Sequence, residues 1–340
     1  NIDTVTVGAS VTIIGDAAKG VLTIDKEGSL YTQQLWVSGN DNDKSGNQDD
    51  SSNGKLLIND KGKVFVVLSK ENTPFKDNNI NWNQNIISNG NNITDGTVSS
   101  GDLVLGKTGN GVIEVNNHSE LGVMHDVIVS TGVTGAPNVK PSEIYINDGS
   151  KFNISGDMRG GVSASGKLSL RMDKTSSMDV NGNVTVGIGS NSEVTVGMSD
   201  ESVMLVGKDF SIATGAGSTA EVTIDNSKLS VAGSSSIGGG DGSRTTASLI
   251  NRATISGSKD IKIAEGNNTH VEMTINNSSL ITEGELSIGS GNSSEVIMTG
   301  EGALVTSREQ LLAAKGDEAT AKLNYINSTL TTGSAVIASG

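Results

Sequence analysis

Short runs of alternating apolar and polar residues recur along the chain, each followed by Asp or Asn, a small polar stretch and a further apolar residue. Leu22-Thr23-Ile24-Asp25 leading to Leu30, Ile113-Glu114-Val115-Asn116 leading to Leu121 and Ile144-Tyr145-Ile146-Asn147 leading to Phe152 show the phrase. Leu170-Arg171-Met172-Asp173, Val222-Thr223-Ile224-Asp225 and Met273-Thr274-Ile275-Asn276 repeat it. A period of two predicts strands with one buried face. Each unit carries a second landmark, an apolar-x-apolar pair running into small residues, as in Val184-Thr185-Val186-Gly187, Ile261-Lys262-Ile263-Ala264 and Leu286-Ser287-Ile288-Gly289. A glycine-rich turn then restarts the cycle.

Residues 24, 58, 115, 146, 172, 196, 224, 250, 275, 298 and 325 serve as anchors for 11 copies. Their spacing settles in the mid-twenties, and the 57-residue interval between 58 and 115 has room for one hidden turn. Each unit then holds about three short strands. Three strands cannot bury their own apolar faces, whereas stacking units in parallel register buries a continuous narrow core. The expected fold is all-β: a right-handed parallel β-helix of roughly 12 coils, about 60 Å long at the usual strand spacing. It forms a single body over residues 1–340, with an acidic loop insertion at 40–53 and an Asn-rich loop insertion at 69–100. Only Ser307 to Lys315 has helical character. Val5 to Ile14 reads as a closing strand and turn, and caps for the end coils are expected outside the chain.

Composition supports a thin core. The 340 residues include 44 glycines and 33 asparagines but 9 aromatics and no cysteine. Glycine at nearly twice its usual share, with so few large side chains, is unlike an ordinary globular enzyme. The regular apolar pattern argues against disorder. A net charge of -14 disfavours nucleic acid and anionic lipid as partners. The longest apolar run, Val64 to Leu68, is far too short to cross a bilayer, so no membrane insertion is expected of this segment. The first residues show no basic region followed by an apolar stretch, so a leader is expected to have been removed or to lie elsewhere. Without cysteine there are neither disulfides nor thiolate metal sites.

The phrases Val222-Thr223-Ile224-Asp225-Asn226-Ser227-Lys228-Leu229 and Leu286-Ser287-Ile288-Gly289-Ser290-Gly291 resemble the strand-loop-strand repeats of autotransporter passenger domains, the type V secretion system of Gram-negative bacteria. The resemblance covers almost the whole chain. It implies export, translocation across the outer membrane by a C-terminal barrel and display at the bacterial cell surface. Many such passengers are adhesins or aggregation factors. The implied partners are a host extracellular-matrix or cell-surface protein or glycan, or identical passengers on neighbouring cells, as in biofilms. The absence of cysteine accords with this route, because periplasmic disulfides would hinder threading.

Candidate chemistry is sparse. His118, His125 and His270 fall in different repeats, without a serine elbow in a strand-to-helix context, so no catalytic residue is assigned. A polysaccharide lyase or hydrolase is the enzymatic alternative, but the acids are scattered singly at turns, and the Asp49-Asp50 pair lies in a polar loop. Asp41, Asp43, Ser45 and Asp49, with Gly46, approximate the first positions of a calcium loop. Ser52 stands where its bidentate glutamate belongs, so only a weak calcium site is expected, and no other cofactor.

Asp or Asn follows the anchor in eight copies: Asp25, Asn59, Asn116, Asn147, Asp173, Asp225, Asn251 and Asn276. Stacked Asx residues suit left-handed turns and bond between coils. Facing outward, Asn116, Asn147, Asp173, Asp225, Asn251 and Asn276 would also present a long hydrogen-bonding edge to a partner. Phe75 and Trp82 join them as candidate contacts, since five of the nine aromatics lie between Tyr31 and Trp82. The resulting expectation is a non-enzymatic surface adhesin, with a polysaccharide-active enzyme and an inert stalk as alternatives.

Overall fold

The computed structural model describes residues 6–15, 19–37, 54–69, 99–106, 110–129 and 140–337. Secondary structure among them is entirely β-strand. The strands form an 11-stranded and a 20-stranded sheet, and every pairing is parallel, as in Thr219–Asp225 with Arg244–Ile250. The fold is a right-handed parallel β-helix.

One regular coil runs through Thr219–Asp225 in the smaller sheet and then Lys228–Val231 and Ser235–Ile237 in the larger. We call the corners after these three strands the first, second and third turns. Within Thr219–Asp225, Ala220, Val222 and Ile224 are buried while Thr219 and Glu221 are exposed, which is the alternation the sequence carries. Inward residues stack by kind: Phe152 lies between Leu121 and Met178, all three fully buried. The core is therefore one apolar column that continues from coil to coil.

Cross-strand partners give the coil length. The register advances 26 residues from Ile146 to Met172 and 25 from Ile224 to Leu249. Three anchors of the sequence reading are displaced from this register: Met198, Leu249 and Gly300 occupy the column assigned to residues 196, 250 and 298. The expected hidden turn is also absent, because Gly54–Ile58 pairs directly with Gly111–Val115 across the 57-residue interval. The smaller sheet thus has 11 rungs, spanning about 50 Å. Ser307 to Lys315 is not helical: Leu304–Ala313 is a strand whose Leu311 and Ala313 point into the core. Packing overrides local propensity there. Thr6–Ile14 is a strand, paired with Ser29–Val37.

At the third turn, the glycine content has a steric cause. A Cβ on Gly189, Gly215, Gly240, Gly266, Gly291 or Gly316 would overlap the carbonyl oxygen of the equivalent residue one coil earlier. Backbone lies directly on backbone there, so a side chain would separate the coils.

Candidate functional site

The first turns line up as a ridge along the rod. In most coils two successive non-glycine residues adopt left-handed φ: Lys26 and Glu27 (50° and 63°), Asp60 and Lys61 (49° and 64°), Asn117 and His118 (55° and 59°). Lys174 and Thr175, Asp200 and Glu201, and Asn251 and Arg252 repeat the arrangement. Each such residue costs about 1–2 kcal/mol in isolation. Cross-coil bonds offset that cost: Glu27 N donates to Asp60 O at 3.1 Å, Lys61 N to Asn117 O at 3.0 Å and His118 N to Asp148 O at 2.9 Å. Where one left-handed residue suffices, as at Asn226 or Asn277, the coil is one residue shorter.

The Asx residues expected to form a ladder lie at the base of this ridge. Asn116 Nδ2 donates to Asn59 Oδ1 at 3.1 Å, Asn251 Nδ2 to Asp225 Oδ1 at 2.8 Å, and Asn276 Oδ1 accepts the Glu301 N–H at 3.1 Å. The side chains of Asn147 and Asp173 are half-buried, each with an unpaired Oδ1. Burial raises the Asp173 carboxyl pKa; Lys174 opposes that rise, and Asp148 and Asp200 add to it. Asn251 is displaced from the common column, because Ile250 pairs with Asn276. These amides therefore bond mainly between coils, and the side chains beyond them are the ones presented to solvent. On the first three coils, Lys26, Glu27, Asp60, Lys61, Asn117 and His118 line a shallow open depression. Phe75, Trp82 and the calcium candidates Asp41, Asp43, Ser45 and Asp49 lie outside the described residues.

A second ladder, which the sequence reading missed, runs along the second turn. Asp102 Oδ1 accepts the Asp126 N–H at 3.0 Å, Asp126 Oδ1 that of Asp157 at 2.8 Å, and Asp157 Oδ1 that of Asn183 at 2.8 Å. Asn183 and Asp209 continue it. Its signal was an Asx residue directly before the third strand, as in Asp126-Val127, Asn183-Val184 and Asp209-Phe210. A third ladder joins Asp241, Asn267, Asn292 and Asp317 at the third turn.

At one end of the second ladder the three chemical groups Asp102, His125 and Asp126 converge, with donor atoms within 4.8 Å of one another. His125 Nδ1 is 2.5 Å from Asp102 Oδ1, and Arg159 Nη2 is 2.6 Å from Asp126 Oδ2. Asp102 is buried and also accepts the Ser99 N–H at 2.5 Å. A metal ion could bridge such a spacing, but these oxygens already hold backbone N–H groups, the imidazole and a guanidinium. Burial raises the Asp102 pKa against the opposing pull of Ser99, His125 and Asp126. Burial lowers that of His125, but its bond to Asp102 and the charges of Asp102 and Asp126 outweigh it, so the imidazole is shifted up. The cluster is a charged clasp between neighbouring coils.

The geometry defines a β-solenoid whose outer corners are laddered polar turns. No family model matches the chain, and no solved structure matches it. Over 276 residues, 81% of its length, the chain is 55% identical to "Uncharacterized protein YuaO" of Escherichia coli strain K12. The aligned part is 16% of that relative, so the chain corresponds to a minor share of its length.

Proposed function

We propose that the chain is part of an autotransporter-type passenger, displayed at the bacterial cell surface, and that it works as a non-enzymatic adhesin. The observation that carries the reading is the first-turn ridge, in which left-handed residues held by cross-coil bonds present exposed polar and charged side chains at most coils. Rigid, in-register groups about 4.8 Å apart suit many weak contacts summed along an edge. Partners of this chemistry are a matrix or cell-surface protein or glycan, or an identical rod.

Displaying the chain on non-aggregating cells tests the proposal, with settling and adhesion to fibronectin, laminin, collagen and heparin as readouts. We expect settling or protein adhesion, weakened when the exposed ridge residues Asn117, Lys174, Asp200 and Arg252 are replaced by alanine in a chain whose circular dichroism is unchanged. Cleavage of a polysaccharide panel, or tight heparin binding alone, would overturn the reading.

A further inference from the structure

We propose that Lys26, Glu27, Asp60 and Lys61 form a docking patch whose occupant is the same patch on a second copy of this chain. The inference rests on the adhesive reading above and names a partner for one stretch of the ridge.

The register that sets Ile24 beside Ile58 places Lys26 next to Asp60 and Glu27 next to Lys61. These are four exposed side chains at the corners of a square. Sign alternates along each turn and between the two turns. The left-handed backbone and the bond from Glu27 N to Asp60 O hold the corners in register. Within one copy, Lys61 Nζ lies 3.6 Å from Glu27 Oε1, and Asn117 Nδ2 donates to Asp60 Oδ1 at 3.0 Å. Asn117 and His118 form the next row of the same depression.

Such a square is complementary to itself. Set face to face about a twofold axis lying across the rod, Lys26 of one copy meets Asp60 of the other, and Glu27 meets Lys61. With the axis along the rod, Lys26 meets Glu27 and Asp60 meets Lys61. Neither arrangement brings like charges together, which is what an isologous contact requires. The square is also neutral, so it offers a contact at which the general repulsion of two chains of charge -14 is screened over roughly 8 Å and locally absent. Among the described turns no other two neighbouring coils carry four alternating charges. Asp200 and Glu201, by contrast, make their turn wholly acidic.

An exposed ion pair shifts an equilibrium by at most about fivefold. Two free copies would therefore associate weakly, while many copies on facing surfaces would hold through avidity.

The test uses beads carrying the full chain, in three forms: unaltered, Lys26→Glu with Lys61→Glu, and Glu27→Lys with Asp60→Lys. The unaltered beads should clump. Each doubly substituted form alone should clump about tenfold less at low salt, since its patch has become wholly acidic or wholly basic. Mixing the two altered forms should restore clumping, and the restoration itself shows that both are folded. About 1 M salt should abolish it. Clumping that is unchanged in both altered forms would assign association to another surface, such as an open strand edge, and overturn the proposal. Failure of the mixture to clump, in forms with unchanged circular dichroism, would overturn it as well. If unaltered beads neither clump nor bind the matrix panel, the adhesive reading falls too. If they clump but the mixed forms do not, only the docking patch falls.

Discussion

His125 Nδ1 stands 2.5 Å from Asp102 Oδ1, tying one coil to the next at the second turn. The imidazole holds its proton more tightly than an ordinary histidine, despite the opposing effect of burial, because of the Asp102 bond and the Asp102 and Asp126 charges. Arg159, the other cation facing it, works against this shift and is itself engaged with Asp126. A histidine pKa raised by folding adds stability that is fully present below the unfolded value of about 6.5 and is lost as pH climbs through the folded value. The carboxyl of Asp102, raised by burial, changes stability in the same direction in a lower pH window. We expect the amides of Ser99 and Asp126 to exchange more slowly at pH 5.5 than at pH 8 after correction for intrinsic rates. The difference should shrink in His125→Gln. An equal pH dependence in both proteins would show that the clasp does not depend on the proton.

Phe152 occupies one place in an inward column between Leu121 and Met178, with no exposed surface. Rigid coils on either side limit collapse of the space that its removal leaves. Phe152→Ala should cost about 3–5 kcal/mol. Contacts are local in a solenoid, so hydrogen exchange should speed first in the coils around Phe152 and least near Leu280.

Two glycines of one turn should respond differently. A Cβ on Gly240 would overlap the carbonyl oxygen of Gly215, whereas one on Gly242 meets nothing within 4 Å but has φ of +65°. Gly240→Ala must separate the coils and should destabilise by about 1–3 kcal/mol or more. Gly242→Ala should cost only about 1–2 kcal/mol of left-handed strain. Gly242→Asn should be nearly neutral, since Asn268 holds the equivalent place at 52° in the next coil. Urea midpoints of the three variants decide the order.

Strands and coil length were legible in the sequence because alternation and turn chemistry point the same way, as in Val222-Thr223-Ile224 followed by Asp225-Asn226. Register was less so. Inward residues recur every second place, so the phrase slides by two without changing its look, and the pattern points to 196 where Met198 belongs. The slip at 250 has another cause: Ile250 is apolar but pairs beyond the Leu249 column. Asn116 and Asn251 were recognisable as turn residues, yet their cross-coil bonds absorb groups expected to face a partner. The clasp of His125 and Asp102 was hidden because it needs the register of two coils on either side of the third turn. The charge square was hidden for the same reason, since Lys26 and Asp60 are neighbours only once Ile24 is set beside Ile58.

Tyr325 and Gly300 share the inward column at the last described coils, and the ring fills the space that the glycine leaves. A Cβ on Gly300 would lie 2.8 Å from Tyr325 Cδ1 and 2.7 Å from Ile275 O, so the small and the large residue form one packing unit. Gly300→Ala should therefore destabilise by about 1–3 kcal/mol through overpacking. The same burial pushes the Tyr325 phenol up to about 12, from an ordinary value of 10.0. An acid whose pKa is raised by folding ionises first in the unfolded chain, so its effect is to reduce stability as pH rises above the unfolded value of about 10. Burial raises the Tyr31 and Tyr145 phenols as well, so phenolate absorbance should rise above the ordinary range for all three tyrosines, with that of Tyr325 coming last, toward pH 12. Tyr325→Phe should remove the late stage and extend stability of the last described coil to higher pH. In the double variant Gly300→Ala with Tyr325→Leu, the smaller side chain leaves room beside the new methyl group. It should recover part of the stability lost in Gly300→Ala alone, and additive losses would show that the two residues do not pack as a unit.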